Sequence, residues 1–437
     1  MQPLDAARLP PFDGEHRVVR EPLHAKAQID RTVPPDDLWQ RVRQGYGMPD
    51  LDGPLVREKT AWYAARADYL GSTLERARKY LFHIVDELER RGMPTELALL
   101  PIVESSFNPT AYSRSDASGL WQFIPTTGRR YSLQQDWWYD ARRDIVASTS
   151  AALDYLSDLY ELHGDWHLAL AAYNWGEGAV TRAIQKNAAR NLPTDYASLD
   201  MPDETRNYVP KLQALKNIIS NPEPFGIVLD PIPNRPYFAT VARSADIDVQ
   251  LAAALAEMPV EEFIALNPGF NRPLLRANAG PRIVLPADRV ERFYTNLSQH
   301  SGETAVHWQV YHPRRGESLE AVAQKYKLPV ARLKSVNGIP ARARAAPALL
   351  VVPLNGAVLD PDKLPILYAP LPGAGRVHIV RKGDSLWSIA RRYDLSVKDL
   401  KQWNGNLRIL RPGQRIQLSG YGQALSARKQ EMRKRLR

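Results

Sequence analysis

LLPIVESSFNP, Leu99 to Pro109, delivers a single carboxylate, Glu104, from an almost wholly apolar run with a proline inside it. Apolar residues on nearly every face of the approach place that segment inside a domain, not on its surface. Pro101 is expected to cost the bond to the Leu97 carbonyl and to bend the helix there. A carboxyl in such surroundings loses hydration, which lifts its pKa above the ordinary value of about 4.3 and keeps it protonated near neutrality. A protonated carboxyl in a cleft is what a general acid for glycosidic cleavage needs. An ion pair with a nearby arginine is the structural alternative.

Around this stretch, apolar residues recur at helical spacing from about residue 36 to 220. In DIVASTSAALDYLSDLYELHG, Ile145, Thr149, Ala152, Leu156 and Leu159 or Tyr160 share one face, and Gly164 suits a helix end. LERARKYLFHIVDELERRG reads the same way and also ends at a glycine. This part of the chain is expected to be all-helical. Residues 1–35 are rich in proline and charge without a period, and read as an extended leader. NPEPFGIVLDPIPNRPYF marks a Pro-rich linker over 221–236, and a second lies at 356–375.

An internal repeat organises the C-terminal half. With Leu386 as origin, Ala390, Val397, Leu400 and Asn404 stand at offsets of 4, 11, 14 and 18, and Leu319, Ala323, Val330, Leu333 and Asn337 repeat that spacing. Val249, Ala253, Val260, Phe263 and Asn267 repeat it again. Beta-type runs, VHIV and RIQL, flank the last copy, which predicts a strand, helix, helix, strand unit. The copies are assigned to 237–300, 305–355 and 376–419. Only the last has both GDSL before its first helix and LRPGQ before its closing strand, whereas the first has Asp246 in place of the glycine. The first two copies therefore read as structural and the last as competent to bind.

The chain has 437 residues, a net charge of +10 and no cysteine, which removes disulfides, Cys-type zinc sites and thiol catalysis. Residues 376–437 hold 16 Lys and Arg against 4 Asp and Glu, so the C-terminal end, including a basic tail at 420–437, expects an anionic partner. The first residues lack a basic segment followed by an apolar core, so no secretory signal is read there and a trimmed form is expected. No spacing suggests a metal or organic cofactor.

Downstream of Glu104, SGLWQFIP, AAYNWGEG and ETRNYV set amides, rings and hydroxyls at helix ends or turns. Sugars offer apolar CH faces and rings of hydroxyls, and Trp121, Gln122, Tyr173, Asn174, Trp175 and Tyr208 suit both. In this order the motifs resemble the lysozyme-like lytic transglycosylases that cleave bacterial peptidoglycan, over about residues 60–220, and the repeats look like LysM modules. The resemblance implies a multidomain chain: an all-α lysozyme-like catalytic domain (within the α+β lysozyme superfamily) at 36–220, followed by small βααβ LysM-type modules. It implies Glu104 as the single acid/base, with Ser105, Ser113, Gln122, Tyr173, Asn174, Glu204 and Tyr208 around the substrate. Glu204 is expected to order the site through hydrogen bonds. The family often has methionine where Trp121 and Ile124 stand.

In the last repeat the resemblance implies a glycan groove at Gly383, Asp384, Ser385 and Leu386 with Leu410, Arg411 and Pro412. Asp384 or Ser385 also reads as a helix N-cap. The implied partner is a peptidoglycan glycan strand, not nucleic acid. The implied location is the periplasm or cell envelope, near the outer membrane, with lipid anchoring a property of the native precursor. A water-using muramidase and a non-catalytic wall-binding scaffold are the competing readings; the first would want a second carboxylate facing the sugar.

Overall fold

A computed structural model describes residues 35–113, 115–243, 245–277, 282–300, 307–314, 316–339, 341, 343–344, 346–354, 377–381, 383–392, 397–404 and 410–417. The leader, the second Pro-rich segment and the basic tail lie outside the described residues, apart from Pro35 at the leader's end. The N-terminal half is helical: α1 (Leu38–Gln44), α2 (Pro54–Ala64), α3 (Ala67–Ala77), α4 (Leu81–Arg90), α5 (Leu100–Ser105), α6 (Pro125–Arg130), α7 (Ile145–His163), α8 (Trp166–Trp175), α9 (Glu177–Ala188), α10 (Asp203–Arg206) and α11 (Tyr208–Ser220).

Local signals set these boundaries. Asp144 caps α7 by accepting from the Ala147 amide at 2.7 Å, and Gly164 ends that helix at a φ of 68°. Asp165 then caps α8 through the Leu168 amide at 2.8 Å. The stripe read from the sequence of α7, Ile145 to Tyr160, is buried throughout.

Two expectations about continuity are corrected. LERARKYLFHIVDELERRG is divided between α3 and α4, not one helix. The run before Glu104 is not one bent helix either: a 3-10 turn, Thr95–Leu99, gives way to α5, and Pro101 sits in the first turn of α5. A first-turn proline lacks only an N–H that has no intrahelical partner, so it starts the helix instead of kinking it. Leu97, Leu99, Leu100 and Ile102 are each 1% exposed or less, and burying each is worth about 1.5–3 kcal/mol.

The repeats each form two antiparallel strands around two short helices. In the first, β1 (Phe238–Ala242) pairs with β4 (Arg282–Pro286) around α12 (Val249–Leu255) and α13 (Val260–Leu266), with a two-residue pair of β2 (Ile247–Asp248) and β3 (Leu274–Leu275). An extra helix, α14 (Val290–Gln299), follows. The second has β5 (Trp308–Tyr311) on β6 (Leu350–Pro353) around α15 (Leu319–Lys325) and α16 (Val330–Val336). The third has β7 (Val377–Ile379) on β8 (Arg415–Gln417) around α17 (Leu386–Arg392) and α18 (Val397–Asn404).

The recurring asparagine at offset 18 has a structural cause. Asn267 exchanges bonds with both backbone groups of Val284, at 2.7 Å each, and Asn337 does the same with Val351 at 2.6 and 2.8 Å. One amide side chain thus ties the end of the second helix to the closing strand.

The first repeat is fused to the helical domain and shares its core. The Asp140 amide donates to the Gly269 carbonyl and the Asn271 amide to the Trp138 carbonyl, both at 2.8 Å. Arg143 reaches the Pro268 carbonyl at 2.8 Å and also bonds Asn271. Gly269 is required here, because a Cβ would lie 2.7 Å from the Tyr139 ring. The segment read as a linker, 221–236, packs back on α1: the Leu38 amide donates to Ile232 at 2.8 Å and Trp39 Nε1 to Asp230 at 3.2 Å. The third repeat has a core of its own, built on Val380, Ile389, Ala390, Leu400 and Ile416.

Candidate active site

Glu104 lies in the last turn of α5, after which Ser106 and Phe107 both adopt left-handed φ values of 53°. That reversal folds the Phe107 amide back to the Pro101 carbonyl at 3.0 Å and buries the Phe107 ring, leaving Glu104 partly exposed.

The four motifs close a ring of hydrogen bonds around this point. Ser105 Oγ donates to the Leu120 carbonyl at 2.9 Å, joining α5 to the GLWQ turn. Tyr173 on α8 donates to the neighbouring Trp121 carbonyl at 2.8 Å. Asn174 Oδ1 accepts from Thr205 on α10 at 2.7 Å. Tyr208, at the start of α11, donates to Glu104 Oε1 and completes the circuit. Gln122, at a φ of 49°, donates to the Gly119 and Ala111 carbonyls at 2.8 and 3.3 Å. Ser113 Oγ accepts from the Ser115 and Ala117 amides, each at 3.1 Å, and shapes the loop between α5 and that turn.

Burial pushes the Glu104 carboxyl up to about 7. The Tyr208 hydrogen bond opposes that rise, the Glu204 charge adds to it and Lys211 opposes it. Among the described residues no cation forms an ion pair with Glu104, so the arginine-paired alternative is not what the fold builds. Burial foremost, and the Glu104 charge next, hold the Tyr208 and Tyr173 phenols well above their ordinary range, so both stay protonated donors.

Other candidates take different places. Trp121 is fully buried with Nε1 on Thr149 Oγ1 at 3.1 Å, so it offers no face to a sugar. Tyr208 is also buried, which leaves Tyr173 and Trp175 as the half-exposed rings of the proposed aromatic set. Glu204 is exposed and makes no hydrogen bond among the described residues; its influence on Glu104 is through charge, not the ordering bonds expected of it.

Sequence reading missed Thr205, though it stands within ETRNYV, and a buried ion cluster in DARRD. Asp140 pairs with Arg142 at 2.7 Å and Arg143 at 3.1 Å, and Arg142 holds the Asp116 and Phe123 carbonyls on either side of the GLWQ turn at 2.6 and 3.1 Å. Gly119 within that turn has a φ of 87°, and a Cβ there would lie 2.0 Å from the Arg142 carbonyl oxygen.

In the third repeat the LRPGQ turn is joined to Val380, just before GDSL. The Gly413 amide donates to the Val380 carbonyl at 2.8 Å, and the Val380 amide to the Gln414 carbonyl at 2.9 Å. Gly383, Ser385, Arg411 and Pro412 are exposed, while Leu386 and Leu410 pack on the module core. Ser385 is the cap, accepting from the Ser388 amide at 3.0 Å. Asp384 instead accepts from the Arg381 amide and pairs with His378, both at 2.7 Å.

Known sequences place this architecture. The profile of the Transglycosylase SLT domain matches residues 83–194, that of the LysM domain residues 314–343 and 378–419, and that of the "Lytic transglycosylase MltD, LysM-like domain" residues 237–302. Membrane-bound lytic murein transglycosylase D of Escherichia coli (strain K12) is 34% identical over 407 residues, covering 88% of this chain and 86% of that protein. A putative tributyltin chloride resistance protein of Alteromonas sp. (strain M-1) is 49% identical over 120 residues, 27% of this chain and 58% of its own length. Membrane-bound lytic murein transglycosylase C of Pectobacterium atrosepticum is 32% identical over 130 residues, 26% of this chain and 36% of that protein.

Proposed function

The chain belongs to the family of membrane-bound lytic murein transglycosylase D, and we propose that Glu104 alone supplies its acid and base chemistry. The substrate is the peptidoglycan glycan strand, cut at the β-1,4 bond between N-acetylmuramic acid and N-acetylglucosamine without water. Protonated Glu104 gives its proton to the glycosidic oxygen as the bond to C1 breaks, and the 2-acetamido oxygen of the muramic residue covers C1. Carboxylate Glu104 then takes the proton of the 6-hydroxyl as O6 closes on C1 and displaces the acetamido oxygen, which returns to the 2-acetamido group. The product is a 1,6-anhydro end, and the enzyme returns to its starting protonation state.

The observation that carries this reading is one partly open carboxyl, raised to about 7, hydrogen-bonded to a phenol and to no cation. A group titrating there holds both protonation states in useful amounts at neutral pH, as a residue that must donate and then accept requires. Tyr208 steadies the anion formed midway. Ser105, Ser113, Gln122, Tyr173 and Asn174 shape the walls that seat the sugar, and the exposed Glu204 tunes the field.

The experiment is mass analysis of muropeptides released by the wild type and by Glu104→Gln. Anhydro ends from the wild type and none from the variant are expected. Ends heavier by one water would replace this chemistry with hydrolysis, and full cleavage by Glu104→Gln would remove Glu104 from its role.

The third repeat is proposed as the glycan-binding module, with Gly383, Asp384, Ser385, Leu386, Leu410, Arg411 and Pro412 along its groove. Deleting residues 376–437 is expected to weaken sedimentation with sacculi while cleavage of soluble strands persists. The substrate places the protein in the periplasm or cell envelope, and anchoring through lipid in the native precursor is part of this proposal. No helix among the described residues is long and apolar enough to cross a membrane.

A further inference from the structure

Next to Ser106, at the end of α5, stands a cluster that the proposed chemistry does not use. Trp62 near the end of α2 and Tyr69 in the first turn of α3 are 41% and 37% exposed, and their rings meet edge-on with centroids 5.8 Å apart. Arg66, at the corner between the two helices, lies with its guanidinium 4.3 Å from the Trp62 ring centroid and gives one N–H to the Trp62 carbonyl at 3.1 Å. It is exposed and, among the described residues, pairs with no carboxylate.

The cluster is joined directly to the catalytic helix. Tyr69 Oη and Ser106 Oγ share a hydrogen bond of 2.7 Å, two residues past Glu104, and Arg76 on α3 donates to the Ser106 carbonyl at 2.8 Å. Tyr69 thus carries this corner onto the residue that caps the helix bearing Glu104.

A guanidinium held over an indole is pre-organised, and the N–H groups it does not give to the Trp62 carbonyl can be accepted side by side by a carboxylate. Peptidoglycan supplies such an anion next to the cleaved bond, because each muramic residue carries through its lactyl group a short peptide bearing free carboxylates.

We propose that Arg66, held by Trp62 and tied to the catalytic helix through Tyr69, is a subsite for a stem-peptide carboxylate and gives the enzyme a preference for peptide-bearing strands. This rests on the reading of Glu104 as the centre that cuts murein. An uncharged or peptide-free strand gains nothing from Arg66, so the residue sets specificity and leaves the chemical step alone.

The test compares peptide-bearing glycan strands with strands of the same length stripped of peptide by an amidase, using the full chain. Arg66→Ala is expected to raise KM about 2- to 5-fold on the peptide-bearing strand only, the worth of an exposed ion pair, with kcat unchanged. Arg66→Lys should keep part of the preference, and Arg66→Glu should reverse it. Equal changes on both strands, or no change on either, would overturn the proposal. Strand binding measured in a Glu104→Gln background carries the same comparison without turnover. An enzyme that cuts neither strand would thus sink the reading of Glu104 and still leave Arg66 to be judged by binding.

Discussion

Glu96 and Glu104 stand eight residues apart on one apolar run, and the fold treats them in opposite ways. Glu96, 1% exposed, accepts from the Gly47 and Met48 amides at 2.9–3.1 Å and pairs with Lys216 at 3.0 Å. Lys216 is shared with Asp50 at 2.9 Å. Every oxygen of that carboxylate is answered, and the charge serves to clamp the 46–51 loop onto α11. Glu104 is offered a phenol and no cation, so its charge is discouraged. Burial raises the Glu104 carboxyl with no cation to offset it, whereas the buried Glu96 has the cation and amides that hold its charge.

The contrast can be broken most severely by Glu104→Gln, which should lower the release of anhydro ends by about 10²- to 10⁴-fold while leaving sacculus binding intact. The same change should help folding at alkaline pH. The folded pKa of Glu104 is raised from 4.5 to about 7, so this group's contribution to stability is fullest below about pH 4.5 and is lost as pH rises to 7. The loss is on the order of 3 kcal/mol, and denaturant melts of the two proteins at pH 8 should differ in favour of the variant.

Lys216→Met attacks the other carboxylate. It strands a buried charge, with an expected cost of about 3 kcal/mol in urea unfolding and little change in the pH profile of cleavage. A pH profile shifted as much as the stability would mean that the two carboxylates are not independent.

Tyr208→Phe makes the environment of Glu104 still poorer. Its hydrogen bond lowers the pKa, so its loss should move the alkaline limb of kcat upward by roughly one unit and reduce kcat, because the anion formed midway loses its donor. Glu204→Gln should act in the opposite sense and least of all. Removing a negative charge lets Glu104 ionise more readily, and the limb should fall by a few tenths of a unit at low salt and less at high salt.

Much of this was legible in the sequence, for identifiable reasons. Glu104 showed itself because a lone carboxylate after an apolar run has few uses, and the repeats because their offsets recur without gaps. Helix continuity was not legible. A proline in the first turn of a new helix and one that kinks an old helix have the same neighbours in sequence, and only tertiary packing chooses between them. Aromatic residues near the site were ambiguous in kind. Trp121 and Trp175 belong to equally suggestive motifs, yet one is sealed inside and the other reaches the surface. The fusion of the first repeat was hidden because its signal, Asp140 with Arg142 and Arg143 meeting 268–271, is divided between segments far apart in the chain. Charge runs more often face water than clasp a distant turn.

That fusion also sets a timetable for assembly. Trp39 Nε1 finds its acceptor 191 residues later, and Arg143 meets Asn271 across 128 residues. As the chain is made from its N-terminus, α1 must wait until about residue 232 has emerged, and the support of the GLWQ turn until about residue 271. Loops of that length close slowly, and the exposed faces are at risk meanwhile. The smallest piece that can mature into a working cleft is therefore larger than the segment that carries the motifs, and the first repeat serves as its last-arriving keystone.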